Sequence, residues 1–117
     1  MPTFDAWDIV KVPFPYTDRP VRQRRPALIV KSGDISLTDT LVWVLMITSA
    51  DNRSGAGDVK ITDLRCAGLP SPSLVRTTKI ATIETRDVES LGYLPEVDRA
   101  EVARHIHGYL AEVVVHA

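Results

Sequence analysis

Arg24-Arg25-Pro26-Ala27-Leu28-Ile29-Val30 joins a cationic segment directly to an apolar run ending in β-branched residues. Ala27 to Lys31 reads as a short strand, with Arg24 and Arg25 closing the loop that leads into it. Arg19, Arg22, Arg24 and Arg25 fall within seven residues, although the whole chain carries a formal net charge of -1. The patch is therefore a local concentration. A rigid strand that starts at a cluster of guanidinium groups is a place to hold a phosphate. A solvated, mobile loop is the competing reading of the same residues.

A chain of 117 residues fits one compact domain with a modest core, so residues 1–117 are read as a single unit. With 44% apolar and 25% charged residues the composition is that of a soluble globular protein. The near-neutral balance argues against a non-specific nucleic-acid coater. No apolar run approaches the roughly 20 residues that span a bilayer, and Met1 to Ala6 lacks the pattern of a signal peptide. The single cysteine, Cys66, excludes an internal disulfide and a cysteine-based zinc cluster. These features predict a cytoplasmic protein with no membrane partner.

Working outward, Trp7 to Pro13 reads as a first strand, stopped by Pro13 and Pro15. Leu41-Val42-Trp43-Val44-Leu45-Met46-Ile47 is apolar without alternation, which predicts a central strand buried on both faces or a strand at a subunit interface. Thr48 and Ser49 end it. Asp51 to Gly57 is a loop by composition, Asp58 to Ile61 a short strand, and Leu64 to Pro72 an irregular connection. Val75 to Ile83 alternates and is expected to be a strand broken near its middle. Asp87 to Leu91 reads as a helical turn ended by Gly92 in a left-handed conformation. Asp98 and Glu101 resemble a capping box, after which Val102, Ile106, Leu110 and Val113 recur at helical spacing. The pattern is mainly β with a C-terminal helix: a small barrel, or a partly open sheet with a helix packed on it.

Most catalytic constellations are missing. There is no nucleotide-binding glycine loop and no nucleophile elbow. His105, His107 and His116 lie in the terminal region, and the first two point in different directions on a helix. No aspartate cluster demands a metal, and Cys66 reads as an inert thiol more readily than an activated one. What remains is the arginine-rich loop, the hydroxyls of Thr48 and Ser49, and a second basic group at Arg76 and Lys79. That inventory suits a phosphodiester. For RNA it also suits metal-free scission by the 2′-OH, because a guanidinium supplies paired donors to oxygens on which charge grows.

Trp7-Asp8-Ile9-Val10, Val12-Pro13-Phe14-Pro15, Arg25-Pro26-Ala27-Leu28-Ile29-Val30 and Ile47-Thr48-Ser49, in this order, resemble the MazF/PemK toxins of bacterial toxin–antitoxin systems. Ala67-Gly68-Leu69-Pro70, Ser73-Leu74-Val75-Arg76, Lys79 to Ile83 and Leu91-Gly92-Tyr93-Leu94 continue the likeness over nearly the whole chain. The resemblance implies an SH3-like, partly open small β-barrel with a C-terminal helix, and a homodimer. It implies a metal-independent, cofactor-free endoribonuclease that cuts single-stranded RNA at short sequences, leaving a 2′,3′-cyclic phosphate and a 5′-hydroxyl. Arg25 and Thr48 match the family's catalytic positions. Arg19, Arg22, Arg24, Phe14, Tyr16, Ser49, Ser73, Arg76 and Lys79 are then candidate RNA-binding residues, with Phe14 and Tyr16 as stacking surfaces. The implied partner is a cognate antitoxin whose acidic, partly disordered tail occupies the RNA groove. One departure is Trp7, which stands where many members have glycine. The alternatives are a CcdB-like gyrase poison on the same barrel, which would not need Arg25 and Thr48, and a non-catalytic barrel that binds RNA or antitoxin.

Overall fold

In the computed structural model, residues 3–15, 23–33, 35, 37–53 and 55–114 are described. The strands are β1 (Asp8–Phe14), β2 (Gln23–Ser32), β3 (Leu41–Ser49), β4 (Asp58–Lys60), β5 (Ser73–Glu84) and β6 (Glu89–Tyr93). A short helix, α1 (Leu64–Ala67), follows β4, and the terminal helix, α2 (Glu96–Leu110), follows β6. Every strand pairing is antiparallel, in the order β4-β5-β3-β2-β1-β6. That order leaves two ends, so the sheet is partly open. No described helix is long and apolar enough to cross a membrane.

The unalternating run of β3 is explained by its place. Leu45 and Ile47 enter one apolar cluster with Ile9, Leu28, Val75 and Val102, while Val42, Val44 and Met46 enter another with Val10, Val12, Ala27 and Ile29. A central strand feeding cores on both faces needs apolar residues at both parities. Trp43 is the exception, 41% exposed.

β5 runs unbroken from Ser73 to Glu84, but its pairing with β3 is interrupted near the middle. Leu45 pairs with Ile80 but Met46 pairs with Arg76, so the segment from Thr77 to Lys79 has no counterpart in β3. The slip moves β5 from one core to the other: Val75 packs in the first cluster and Ile83 in the second. Thr77 holds the bend, its Oγ1 lying 2.6 Å from the Gly57 carbonyl and 2.8 Å from the Tyr109 hydroxyl on α2.

Several local expectations need correction. β2 begins at Gln23, so Arg24 and Arg25 are strand residues, while Thr48 and Ser49 end β3 as expected. Pro13 and Pro26 also lie inside strands, each where one flank is unpaired and a missing N–H costs no ladder bond. Asp98 is not an N-cap; Pro95 precedes the helix. The Asp98 carboxylate instead accepts from the Thr62 backbone N–H at 2.9 Å and hydroxyl at 3.1 Å, a buried tether set in the first turn where the helix dipole favours negative charge. Leu110 and Val113, expected to be buried, are exposed because the apolar stripe outruns the surface one chain offers.

The region read as irregular, Leu64 to Pro72, holds α1. Asp63 Oδ1 accepts from the Arg65 and Cys66 N–H groups at its start, and Gly68 ends it at φ 72°. Gly92 is not a helix stop but a residue of β6. A Cβ on Gly68 would collide with the Leu91 carbonyl, and one on Gly92 with the Cys66 carbonyl. The two glycines let α1 sit directly on β6. Gly68→Ala adds left-handed strain to a backbone collision and is expected to lower stability by about 3 kcal/mol, read as a reduced urea midpoint with an unchanged slope.

Candidate active site

Register brings the site together. Ala27 on β2 pairs with Met46 on β3. Two residues further along each strand, on the same face, come Arg25 and Thr48. Their side chains meet: Arg25 Nη2 donates to Thr48 Oγ1 at 3.2 Å. Both line an open cleft of about 310 Å³, together with Pro26, Ser49, Pro70 and Ser73. Thr48 is only 5% exposed.

Asn52, which the sequence reading passed over as loop, completes this geometry. Ser49 Oγ accepts from the Asp51 N–H at 3.2 Å and starts a 3₁₀ turn, Ala50–Asn52, directly after β3. The turn folds Asn52 back, and its Nδ2 donates to Thr48 Oγ1 at 3.0 Å. The signal was present in principle: a capping serine after the strand, then an amide four residues beyond Thr48.

The remaining candidates divide. Arg24 points away from Arg25, donating to the Asp87 carbonyl at 3.3 Å and the Lys11 carbonyl at 3.2 Å, with Glu89 3.6 Å away. It clasps the start of β6 and is not the movable group expected of a loop arginine. Arg76 is engaged in the interior, bidentate to Asp58 at 3.1 and 3.2 Å and donating to the Asn52 carbonyl. Phe14, expected as a stacking surface, is 4% exposed and packed in the second core cluster, where no base reaches it. Ser73 is buried beside the cleft with its hydroxyl turned to the Ser71 carbonyl at 2.9 Å. Lys79 is exposed on the out-of-register part of β5, away from the cleft. Tyr16, Arg19, Arg22 and His116 lie outside the described residues.

Cys66 behaves as the inert thiol anticipated. Its Sγ lies 3.5 Å from the Asp63 carbonyl, and partial burial followed by the Asp63 charge pushes its pKa up, disfavouring the thiolate. Among the described residues, no three His, Cys, Asp or Glu side chains converge as metal ligands. His105 stacks on Tyr109 with ring centroids 6.2 Å apart and lies on α2, outside the cleft lining.

An open antiparallel sheet with a helix across one face is the fold of known MazF structures. MazF from Deinococcus radiodurans superposes with a TM-score of 0.74 at 22% identity, covering 95% of this chain and 99% of that one. A MazE–MazF complex from the same organism gives 0.69 at 21%, covering 94% and 97%. The Mycobacterium tuberculosis toxin MazF-mt6 gives 0.65 at 25%, covering 87% and 95%. No curated protein matches the chain. Residues 5–110 match the PemK-like, MazF-like toxins of type II toxin–antitoxin systems, and the chain belongs to that family.

The Asp58–Arg76 pair, 4% and 15% exposed at its side chains, ties β4 to β5 behind the site. Removing one member strands a charge, so Asp58→Ala is expected to cost about 3 kcal/mol or more, measured by urea unfolding against the parent.

Proposed function

We propose that the protein is a metal-independent endoribonuclease toxin that cleaves single-stranded RNA and is neutralised by a cognate antitoxin. The observation carrying this reading is the Arg25–Thr48 contact at the wall of an open cleft. In the reaction the RNA 2′-oxygen attacks the adjacent phosphorus and loses its proton. The P–O5′ bond breaks and the departing 5′-oxygen gains a proton, giving a 2′,3′-cyclic phosphate and a 5′-hydroxyl. Negative charge accumulates on the non-bridging oxygens in between. A preorganised guanidinium stabilises that charge by donating paired hydrogen bonds to those oxygens. Arg25 therefore acts as electrostatic stabiliser and Thr48 as a second hydrogen-bonding group on the same phosphate. Arg19, Arg22 and Tyr16 are proposed to gather RNA, for which the acidic tail of an antitoxin would compete. Family membership and the MazE–MazF fold matches support such a partner. We place the chain, acting as one toxin unit over residues 1–117, in the cytoplasm.

A homodimer fits a second feature. Val30, Trp43, Ile80, Ile106 and Leu110 line an apolar groove of about 630 Å³. Trp43, Ile80 and Leu110 are 41%, 57% and 44% exposed there. Exposed apolar surface of this kind marks an association site, and a second copy would cover it. Ile80→Glu is expected to shift the sedimentation coefficient from dimer to monomer at micromolar concentration without unfolding the chain; an unchanged mass would reject this surface.

Cleavage itself is tested with purified protein and single-stranded RNA in excess chelator. The parent is expected to cut, with loss of at least about 10²-fold for Arg25→Ala, the scale seen when one oxyanion donor is removed. Undiminished cleavage by Arg25→Ala, or abolition by chelator, would sink the mechanism. A parent that cuts no RNA would leave a binding or gyrase-directed role.

A further inference from the structure

Resting on the cleavage reading, we infer that Asn52 is a positioning residue that aims the Thr48 proton into the cleft. A hydroxyl has two lone pairs and one proton to place. Thr48 Oγ1 accepts from Arg25 Nη2 at 3.2 Å and from Asn52 Nδ2 at 3.0 Å. Both lone pairs are then occupied, so the proton points in the one remaining direction. Among the described residues nothing accepts it, and Thr48 is part of the cleft wall. The hydroxyl is thereby set as a donor to an incoming phosphate oxygen. It cannot also serve as the acceptor that draws the proton from a 2′-OH.

Arg25 alone would leave one lone pair free, and the Thr48 hydroxyl could rotate between donating and accepting. Asn52 removes that freedom. Its own placement is secured twice: the 3₁₀ turn capped by Ser49 holds its backbone, and Arg76, locked to Asp58, donates to its carbonyl. Asp58, Arg76, Asn52 and Thr48 form a continuous line of support from the buried ion pair to the cleft. The line accounts for Arg76 without asking it to touch RNA.

The test is steady-state cleavage of a short single-stranded RNA by the full chain. Asn52→Leu keeps the volume of the side chain but has no donor, and Asn52→Ala shortens it; thermal unfolding checks that each is folded. Both are expected to lower kcat about tenfold, the scale of one hydrogen bond lost from the reacting configuration, with KM within about twofold. Because Asn52 acts through Thr48, Thr48→Ala and the double variant Thr48→Ala/Asn52→Leu should have the same kcat. Losses that multiply in the double variant would show that Asn52 only shapes the loop, and overturn the inference. So would parental kcat in both single variants. A parent without any cleavage overturns the nuclease reading and this role with it, an outcome visible before any Asn52 variant is compared.

Discussion

The antiparallel register of β2 against β3 is the constraint on which the rest depends. With Ala27 opposite Met46, the sheet's own period places Arg25 across from Thr48 on one face. A slip of one residue would send Arg25 to the opposite face and exchange the residues that β2 gives to the two core clusters. Both core clusters draw on β2 and β3 at alternating positions, so the apolar effect that fixes the register also fixes the Arg25–Thr48 pair. Site geometry and fold stability are one property here. The cleft lies where β2 has run past the start of its β3 pairing, which leaves Arg25 room to reach Thr48 by side chain rather than by backbone ladder.

Behind this pair, polar groups are arranged by how much solvent they can afford to lose. Asp58 and Arg76 are almost dry and satisfied by each other, which is the condition under which buried charge is tolerated. Asn52 sits between that interior pair and the Thr48 hydroxyl, part-buried and donating toward the site. Arg25 is half-buried, close enough to the cleft to meet a phosphate and shielded enough for its field to count. The gradient from dry ion pair to accessible guanidinium favours rigidity at the hydroxyl and access at the arginine.

The meeting of Arg25 with Thr48 was expected from the family resemblance, and each residue borders a strand whose apolar run is plain in the sequence. The same local cue misplaced Arg24, which has the same residue type one position earlier. Strand alternation turned it toward β6, and nothing in its neighbours says that the Lys11 and Asp87 carbonyls wait there. Arg76 was misread for a related reason: its partner Asp58 lies in another strand, so the charge that neutralises it is invisible in a linear scan. Asp98 had the composition of a capping box, yet Pro95 starts the helix earlier and Thr62 claims the carboxylate. Gly92 looked like a helix stop, whereas its lack of a side chain serves the close approach of α1. In each case long-range pairing, which a linear scan does not show, decided the role.

Trp7 shows how the chain accommodates a bulky residue in a backbone conformation that favours glycine. Its φ of 79° lies in the left-handed region, where a bulky residue is a true outlier and the strain is of order 1–3 kcal/mol. Glycine would adopt that conformation freely. Two backbone hydrogen bonds, Trp7 N–H to the Ile29 carbonyl and Leu94 N–H to the Trp7 carbonyl, both 2.8 Å, hold the turn regardless of side chain. The indole offsets the strain by packing on the first core cluster and lying 5.8 Å beneath the Arg99 guanidinium, a contact that adds about 0.5–1 kcal/mol at an exposed site. Arg99 also donates to the Leu94 carbonyl at 2.9 Å. The Trp7 backbone thus ties the entry to β1 to β2 and to Leu94 after β6, and the indole adds the contact with α2. The β1–β2 pair then enters the site region with its register already set.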